Sequence, residues 1–228
     1  MASIINDKIL AMYYGRQVRN RFITYIKIES YLPVISDLSE DITVPKYASQ
    51  LVYTTHADKN TDIEEKTIYS LLRRQPKRAD VYWFLHVDIL DDPNTFEYKV
   101  TELYKDRIFR IDFYLGFKVE PKINVYFRQV LEHMEQEGKI DLVSKHPSLR
   151  KFDITADFRF VHLDRQVIRQ VDLPLFDKTA LNLYYYFKRI GIGDVNAYGL
   201  DASLVTIEKI PLTIPSKSKS PIITPCNN

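Results

Sequence analysis

The sequence predicts an α/β fold, in which a mixed, mostly parallel sheet flanked by helices forms a single domain with one β-hairpin. Strand-like and helix-like runs alternate along most of the chain, which is the order that builds parallel sheets. The apolar run at residues 81–87 has no polar alternation, which indicates a central strand covered on both faces. Two further strand-like runs, at residues 96–103 and 107–115, are joined by three residues and predict a hairpin.

The predicted elements follow from periodicity and composition. Alternating or β-branched runs predict the strands, which are residues 22–28, 51–55, 80–88, 96–103, 107–115, 157–163 and 205–214. Apolar residues three and four apart predict the helices, which are residues 4–14, 31–41, 61–75, 121–137 and 177–190. The composition of residues 215–228 predicts a disordered tail. We therefore expect one domain over residues 22–214, between two flexible ends.

Capping residues and prolines predict where several elements begin and end. Thr61 and Glu64 match a capping box that would begin the third helix. Pro76 disfavours helix at the residue before it, so this helix should end there. Gly138 is the expected C-terminal cap of the fourth helix. Pro211 lies inside the last predicted strand and favours an edge position for it, because proline cannot donate to a ladder.

The composition is that of an ordinary globular protein. Of 228 residues, 45% are hydrophobic and 27% are charged, and the net charge of +2 gives no global field that would indicate nucleic-acid or membrane-surface binding. A single cysteine, Cys226, excludes an internal disulfide and a thiolate metal cluster, and fits a reducing compartment. No apolar run is long enough to span a membrane, and residues 1–20 lack the apolar core of a signal peptide. We expect a soluble, cytosolic chain.

The sequence carries no motif typical of an enzyme. Its six glycines form neither G-x-G-x-x-G nor a Walker A motif, and no G-x-S-x-G is present. No two histidines are paired at metal-ligand spacing. Two of them, His86 and His162, lie in predicted strands, where a buried histidine with one hydrogen bond is the expected state. We therefore expect no catalytic residue, no metal and no cofactor.

A basic segment directly precedes the predicted central strand. Its four cations, on both sides of Pro76, are Arg73, Arg74, Lys77 and Arg78. One interpretation is a solvated helix end, where cations complement the helix dipole, followed by core. The other is an anion site in the loop that feeds the strand. Aromatic residues beside these cations, and in residues 107–114, are also compatible with stacking on RNA bases or on a small nucleotide.

Three arginines follow the first predicted helix at close spacing, at Arg16, Arg19 and Arg21. An exposed arm, a nucleic-acid contact and a juxtamembrane segment are all consistent with this pattern. The residues alone leave the three alternatives open.

Several segments of the chain form a set when they are taken in order. They are VPKYASQLVYTT from Val44, RRQPKRADVYWFLHVD from Arg73, FEYKV from Phe96, RIDFYLGFKVEPKINVYFRQV from Arg110, DFRFV from Asp157 and AYGLDASLVTIEKIPL from Ala197. The set resembles the cytosolic C-terminal domain of KUP/HAK/KT-type potassium uptake permeases of Gram-positive bacteria, from about residue 16 to about residue 214. Those permeases carry many membrane helices before this domain, so the resemblance implies an excised domain whose ion path and proton coupling lie elsewhere.

The resemblance implies potassium import driven by the proton gradient, with this domain as a dimerising regulator at the cytoplasmic face of the cell membrane. It makes residues 1–21 a juxtamembrane connector or short helix, since cations after the last membrane helix stay on the cytoplasmic side. It also implies regulation by cyclic di-AMP, which shuts potassium import in Gram-positive members of the family.

We therefore hypothesise that the domain binds cyclic di-AMP across a two-fold dimer interface and so inhibits transport. A two-fold symmetric ligand suits an isologous contact, because each protomer offers the same residues to one half of the ligand. On their chemistry, the candidate phosphate partners are Arg74, Lys77 and Arg78, and the candidate adenine-stacking partners are Tyr82 and Tyr114. The expected partners are a second copy of the chain, the membrane domain and the nucleotide, with no nucleic acid. The alternative is a ligand-free dimerisation module of the same transporter.

Overall fold

The computed structural model describes residues 14–15, 17–120, 122–143, 147–152, 156–167, 173–190 and 205–212. The predicted first helix (apart from Tyr14), the predicted tail, His146, Arg16 and Cys226 lie outside these residues. The chain divides into two compact units. The smaller unit consists of Met1–Phe22, Arg165–Ile190 and Pro211–Asn228, and the larger unit consists of Ile23–Asp164 and Gly191–Ile210.

The described strands are β1 (Tyr25–Lys27), β2 (Lys46–Thr55), β3 (Asp62–Glu64), β4 (Arg78–Leu90), β5 (Phe96–Tyr104), β6 (Ile108–Gly116), β7 (Phe158–Val167) and β8 (Val205–Leu212). The described α-helices are α1 (Leu32–Glu40), α2 (Glu65–Ile68, continued as a π-helical segment over Tyr69–Arg74), α3 (Ile123–Gln136), α4 (Pro147–Arg150) and α5 (Leu175–Ile190), and a 3₁₀ helix, Ile28–Tyr31, precedes α1. None of the helices in these ranges is long and apolar enough to cross a membrane.

Six of these strands form one sheet in the order β5-β6-β4-β2-β7-β8. The pairs β2–β4, β2–β7 and β4–β6 are parallel, and β5 joins β6 as an antiparallel hairpin. The predicted α/β class with a mixed, mostly parallel sheet and one hairpin is therefore confirmed. The edge position predicted for the last strand is also confirmed, since β8 ends the order.

The prediction for residues 61–64 is wrong, because they do not begin a helix. Residues 62–64 form strand β3, which pairs antiparallel with β1 in a separate two-stranded sheet. The Glu64 carboxylate does not cap a helix; it accepts hydrogen bonds from the Thr55 hydroxyl at 2.7 Å and from the His56 N–H at 2.7 Å. Tertiary partners therefore override the local capping pattern. Helix α2 begins at Glu65, directly after β3.

Strand β4 is buried on both faces, as its uninterrupted apolar run predicts. On one face the Trp83 ring stacks on Phe109 at 4.7 Å between centroids and meets the edge of Phe127 at 5.5 Å. The indole Nε1–H of Trp83 donates to the Gln50 side-chain oxygen at 2.7 Å, so its polar group is satisfied inside the core. On the other face Phe84 joins a second buried cluster. The central position of β4 is confirmed.

Helix α3 covers the first of these faces with the stripe that the sequence predicts. Its buried residues are Ile123, Phe127, Val130, Leu131 and Met134. Gly138 follows the helix with φ of 69°, the left-handed conformation that suits glycine at a C-terminal cap.

In the smaller unit, two of the N-terminal arginines contact α5. Arg19 donates from Nη1 to the Tyr184 hydroxyl oxygen at 2.6 Å, and Arg21 forms an ion pair with Asp177 at 3.1 Å. Arg19 is buried and so does not belong to an exposed arm. The juxtamembrane role of residues 1–21 stays a prediction.

We predict that Phe127→Ala lowers the free energy of unfolding by about 3–5 kcal/mol, because the ring fills the centre of an aromatic cluster and its loss leaves a cavity. Val125→Ala, on the exposed side of the same helix, is the matched control and should change it by less than about 0.5 kcal/mol. Urea denaturation followed by circular dichroism measures both. Equal effects of the two substitutions would contradict the assignment of this face to the core.

Candidate functional site

Lys77, one of the predicted phosphate partners, is almost fully buried in the larger unit. Its side chain is 1% exposed, and its ammonium lies 2.9 Å from a carboxylate oxygen of Glu208 on β8. The ammonium also donates to the Ser70 carbonyl oxygen at 2.7 Å and lies 3.3 Å from the Ser70 hydroxyl. Because a buried charge is costly unless it is paired, Glu208 makes this burial possible.

Glu208 serves a second cation and a hydroxyl. The Ser70 hydroxyl donates to Glu208 Oε2 at 2.6 Å, and Arg74 Nη1 lies 3.7 Å from the same oxygen. Arg74 also donates to the Lys209 carbonyl oxygen at 3.4 Å, and its side chain remains 47% exposed. The Tyr53 hydroxyl lies 2.9 Å from Ser70 Oγ, and burial raises the pKa of Tyr53 well above its usual value. Two cations thus share one carboxylate, and Ser70 links that carboxylate to the Tyr53 hydroxyl.

An aromatic ring that sequence reasoning missed borders the same cluster. Tyr47, at the start of β2, has Lys77 Nζ 5.8 Å and the Arg159 guanidinium 5.2 Å from its ring centroid. Its hydroxyl donates to Thr206 Oγ1 on β8 at 3.2 Å. Lys77 and Tyr47 come together because β2 and β4 are parallel neighbours with Lys46 opposite Arg78, and Arg159 lies on β7, the parallel neighbour on the other side of β2. The sequence does not give the order of the strands in the sheet, so it could not show that these residues meet.

The third predicted phosphate partner, Arg78, does not contact Glu208 but binds the end of α1 and the loop that follows it. Its Nε donates to the Ser39 carbonyl oxygen and its Nη1 to the Val44 carbonyl oxygen, each at 3.3 Å. Ser39 lies in the last turn of α1, where a cation complements the free carbonyl groups and the helix dipole. Arg78 is therefore a neighbour of Lys77 in sequence but contacts separate residues.

The two predicted stacking residues lie on different strands and six residues apart in register, since Tyr82 is opposite Ile108 and Tyr114 is opposite Asp88. Tyr82 is fully buried in β4; its hydroxyl donates to the Lys77 carbonyl oxygen at 3.1 Å and accepts from the Ala79 N–H at 3.0 Å. Burial raises the pKa of Tyr82 to about 12. Tyr114 is half-buried on β6, with Asp88 of β4 as its register partner. Of the five predicted residues, the structure brings Arg74 and Lys77 together around one carboxylate.

The second basic segment of the sequence is also engaged internally. Arg107 contacts the Ser39 hydroxyl and forms an ion pair with Glu40, both on α1. Arg110 is buried and donates to Asp112 at 2.8 Å and to the carbonyl oxygens of Ala57 and Lys59. These arginines hold α1 and the loop after β2 against the sheet.

The two histidines expected in strands are buried and hydrogen-bonded, as predicted. His86 Nδ1 lies 3.4 Å from the Thr55 carbonyl oxygen, and His162 Nδ1 lies 3.3 Å from the Thr54 hydroxyl. Within the described ranges, no three His, Cys, Asp or Glu residues are grouped so that they could hold a metal ion.

Comparison with known proteins shows which sequences this chain is similar to. Residues 48–213 match the model described as the K+ potassium transporter C-terminal domain. The chain is 44% identical to a probable potassium transport system protein Kup of Cytophaga hutchinsonii (93% of this chain, 33% of the relative). It is 32% identical to that of Clostridium perfringens (91% and 32%) and 30% identical to that of Enterococcus faecalis (92% and 31%). The chain spans about a third of the length of these relatives. No solved structure matches it.

We predict that Glu208→Gln lowers the free energy of unfolding by about 3 kcal/mol, because it leaves the buried Lys77 charge without its carboxylate. Adding Lys77→Met to this variant should restore part of the loss, since the double variant buries no unpaired charge. Urea denaturation of the wild type and the three variants measures this coupling. The exposed pair Glu120–Lys122 is the control, and Glu120→Gln should leave the denaturation midpoint unchanged. A double variant as unstable as the sum of the two single variants would contradict the pairing.

Proposed function

Because the chain belongs to the K+ potassium transporter C-terminal domain family, we propose that it is the cytosolic regulatory domain of a proton-coupled potassium importer. The relatives are named as potassium transport system proteins, and about two thirds of each lies outside the match. The ion path and the proton coupling belong to that larger part. This domain acts at the cytoplasmic face of the membrane, where it binds cyclic di-AMP at a dimer interface and inhibits transport.

The observation that carries nucleotide binding is the uneven charge around Glu208. Arg74 and Lys77 are both paired with the Glu208 carboxylate, so these three side chains together carry one net positive charge. A phosphate accepts hydrogen bonds from guanidinium and ammonium groups as a carboxylate does, so it can replace Glu208 as their partner. Arg159 and Tyr47 border the cluster and add a cation and a ring.

The proposed phosphate contacts are Arg74, Lys77 and Arg78, of which Arg74 is exposed before any rearrangement. Arg78 would have to release its carbonyl partners on α1 and in the following loop. The proposed stacking contacts are Tyr114 and Tyr82; Tyr82 would have to leave the core first, since its ring is buried. Two-fold symmetry lets each protomer offer the same set to one half of the nucleotide.

A second candidate function is a dimerisation module that binds no nucleotide. The observation that favours it is the state of Lys77, whose ammonium has Glu208 and both oxygens of Ser70 as partners. An ammonium has three donors, so none remains for a phosphate unless Glu208 leaves. This candidate predicts a dimer whose melting temperature does not respond to cyclic di-AMP, since a ligand that binds the native state must raise it.

We predict that cyclic di-AMP binds the purified chain with one nucleotide for two protomers, and raises its melting temperature. Arg74→Ala should weaken binding by about tenfold or more, because it removes a charged donor from the phosphate. Arg128→Ala, which removes an exposed arginine on α3, is the control and should leave affinity unchanged. Isothermal titration calorimetry measures the stoichiometry and affinity for the wild type and both variants, and thermal denaturation measures the melting temperature. If cyclic di-AMP gives the wild type neither a heat of binding nor a melting shift, nucleotide binding is contradicted and the ligand-free dimerisation module is supported.

A further inference from the structure

Strand β5 lies at one edge of the six-stranded sheet, opposite β8. Within the described ranges it pairs with β6 on one side and with no strand on the other. An edge strand leaves alternate N–H and C=O groups without ladder partners and can serve as a template for another strand. Its first residues also expose large rings, since Phe96 is 54% and Tyr98 is 43% exposed. These features make β5 a surface on which a further strand fits.

The register decides which backbone groups of β5 are free. Gly116 N donates to the Thr95 carbonyl oxygen at 2.7 Å, which makes these two residues a hydrogen-bonded pair. Hydrogen-bonded and non-hydrogen-bonded pairs alternate in an antiparallel ladder. The outward N–H and C=O groups therefore belong to Phe96, Tyr98 and Val100.

The two faces of β5 differ in chemistry. Phe96 and Tyr98 lie on the α3 side, where they meet Tyr126 at 4.7 Å between ring centroids and His133 through a 2.6 Å hydrogen bond. Glu97, between them, and Lys99 lie on the opposite face and are exposed. Neither of these two charged side chains has an ion-pair partner in the part of the chain that the structure describes.

We propose that two copies of the domain pair through β5, antiparallel, with the two-fold axis at Tyr98. In this register Phe96 lies opposite Val100 of the partner subunit, and Tyr98 lies opposite Tyr98 of the partner subunit. All of these residues have outward backbone groups, so they form the hydrogen-bonded pairs. Glu97 then lies opposite Lys99 of the partner subunit, twice by symmetry, in the non-hydrogen-bonded pairs where side chains come closest.

Charge selects this register over its neighbours. Moving the axis one residue onward, to Lys99, places the two Lys99 side chains opposite each other. Moving it one residue back, to Glu97, places the two Glu97 side chains opposite each other. Like charges directly opposite one another destabilise a pair of strands, whereas opposite charges stabilise it. The sequence Phe96–Val100 is therefore self-complementary only about Tyr98 among these three registers.

The same pairing covers apolar surface. A cleft of about 190 Å³ between β5 and α3 is lined by Phe96, Tyr98, Tyr126, Phe113 and His133 among others. The partner's strand would lie along its open side and remove the exposed rings of Phe96 and Tyr98 from water. This inference rests on the second candidate function, in which two copies associate without nucleotide, and it names the surface that they use.

Charge reversal tests the register in the whole chain without nucleotide, by sedimentation equilibrium. The wild type should be a dimer, and Glu97→Lys or Lys99→Glu alone should raise the dimer dissociation constant by about tenfold or more, because each creates two like-charge pairs. The double variant Glu97→Lys, Lys99→Glu should restore the dimer, because it exchanges the two signs. A mixture of the two single variants should form heterodimers in which every charge pair is complementary.

The control is Glu120→Lys, which reverses an acid that also precedes a lysine by two residues and is exposed in the loop before α3. It should leave dimerisation unchanged, and circular dichroism should show all variants folded, since the altered side chains are exposed. A dimer that tolerates both single reversals overturns pairing through β5 but leaves ligand-free association standing. A wild-type chain that is monomeric alone and dimeric with cyclic di-AMP overturns the inference and supports the first candidate function instead.

Discussion

The burial of the Lys77 ammonium is the constraint on which the arrangement of this domain depends. A charge with 1% of its side chain exposed needs a counter-charge, and Glu208 supplies it from the last strand of the sheet. The ion pair therefore holds β8 against the segment between α2 and β4. The Ser70 hydroxyl bonds to Glu208 and to the buried Tyr53 hydroxyl, so the hydrogen bonds continue into the core. The same pair sets the charge of the candidate site, because any anion that approaches Arg74 competes with the Glu208 carboxylate.

Much of the fold could be predicted from the sequence because local patterns and tertiary burial agree there. The unbroken apolar run of β4 needs two covered faces, and α3 carries a buried stripe with a glycine cap. Residues 61–64 were predicted wrongly because the Glu64 carboxylate is taken by Thr55 and His56, a tertiary contact that overrides a capping pattern. The site was also harder to predict, because a tertiary contact and not a local pattern decides the partner of each cation. The cations before β4 are evident in the sequence, but the carboxylate that neutralises them lies on the last strand.

The two candidate functions use opposite edges of the sheet. Arg74 and Lys77 meet Glu208 on the edge strand β8, whereas the outward backbone groups of β5 lie at the other edge. A dimer bridged by nucleotide would join two copies near β8, and a dimer without nucleotide would join them through β5. The position of the subunit contact therefore distinguishes a ligand-controlled regulator from a constitutive dimerisation module. In both proposals the domain would act on the ion path by fixing how two copies of the transporter are held.

The most direct test of the regulatory account is potassium uptake by the full transporter that carries this domain, reconstituted in proteoliposomes with a proton gradient. Cyclic di-AMP enclosed on the side of the domain should inhibit uptake by the wild type. The Arg74→Ala transporter should take up potassium at the same basal rate and escape inhibition. Uptake by the wild type that does not change with cyclic di-AMP would contradict the account.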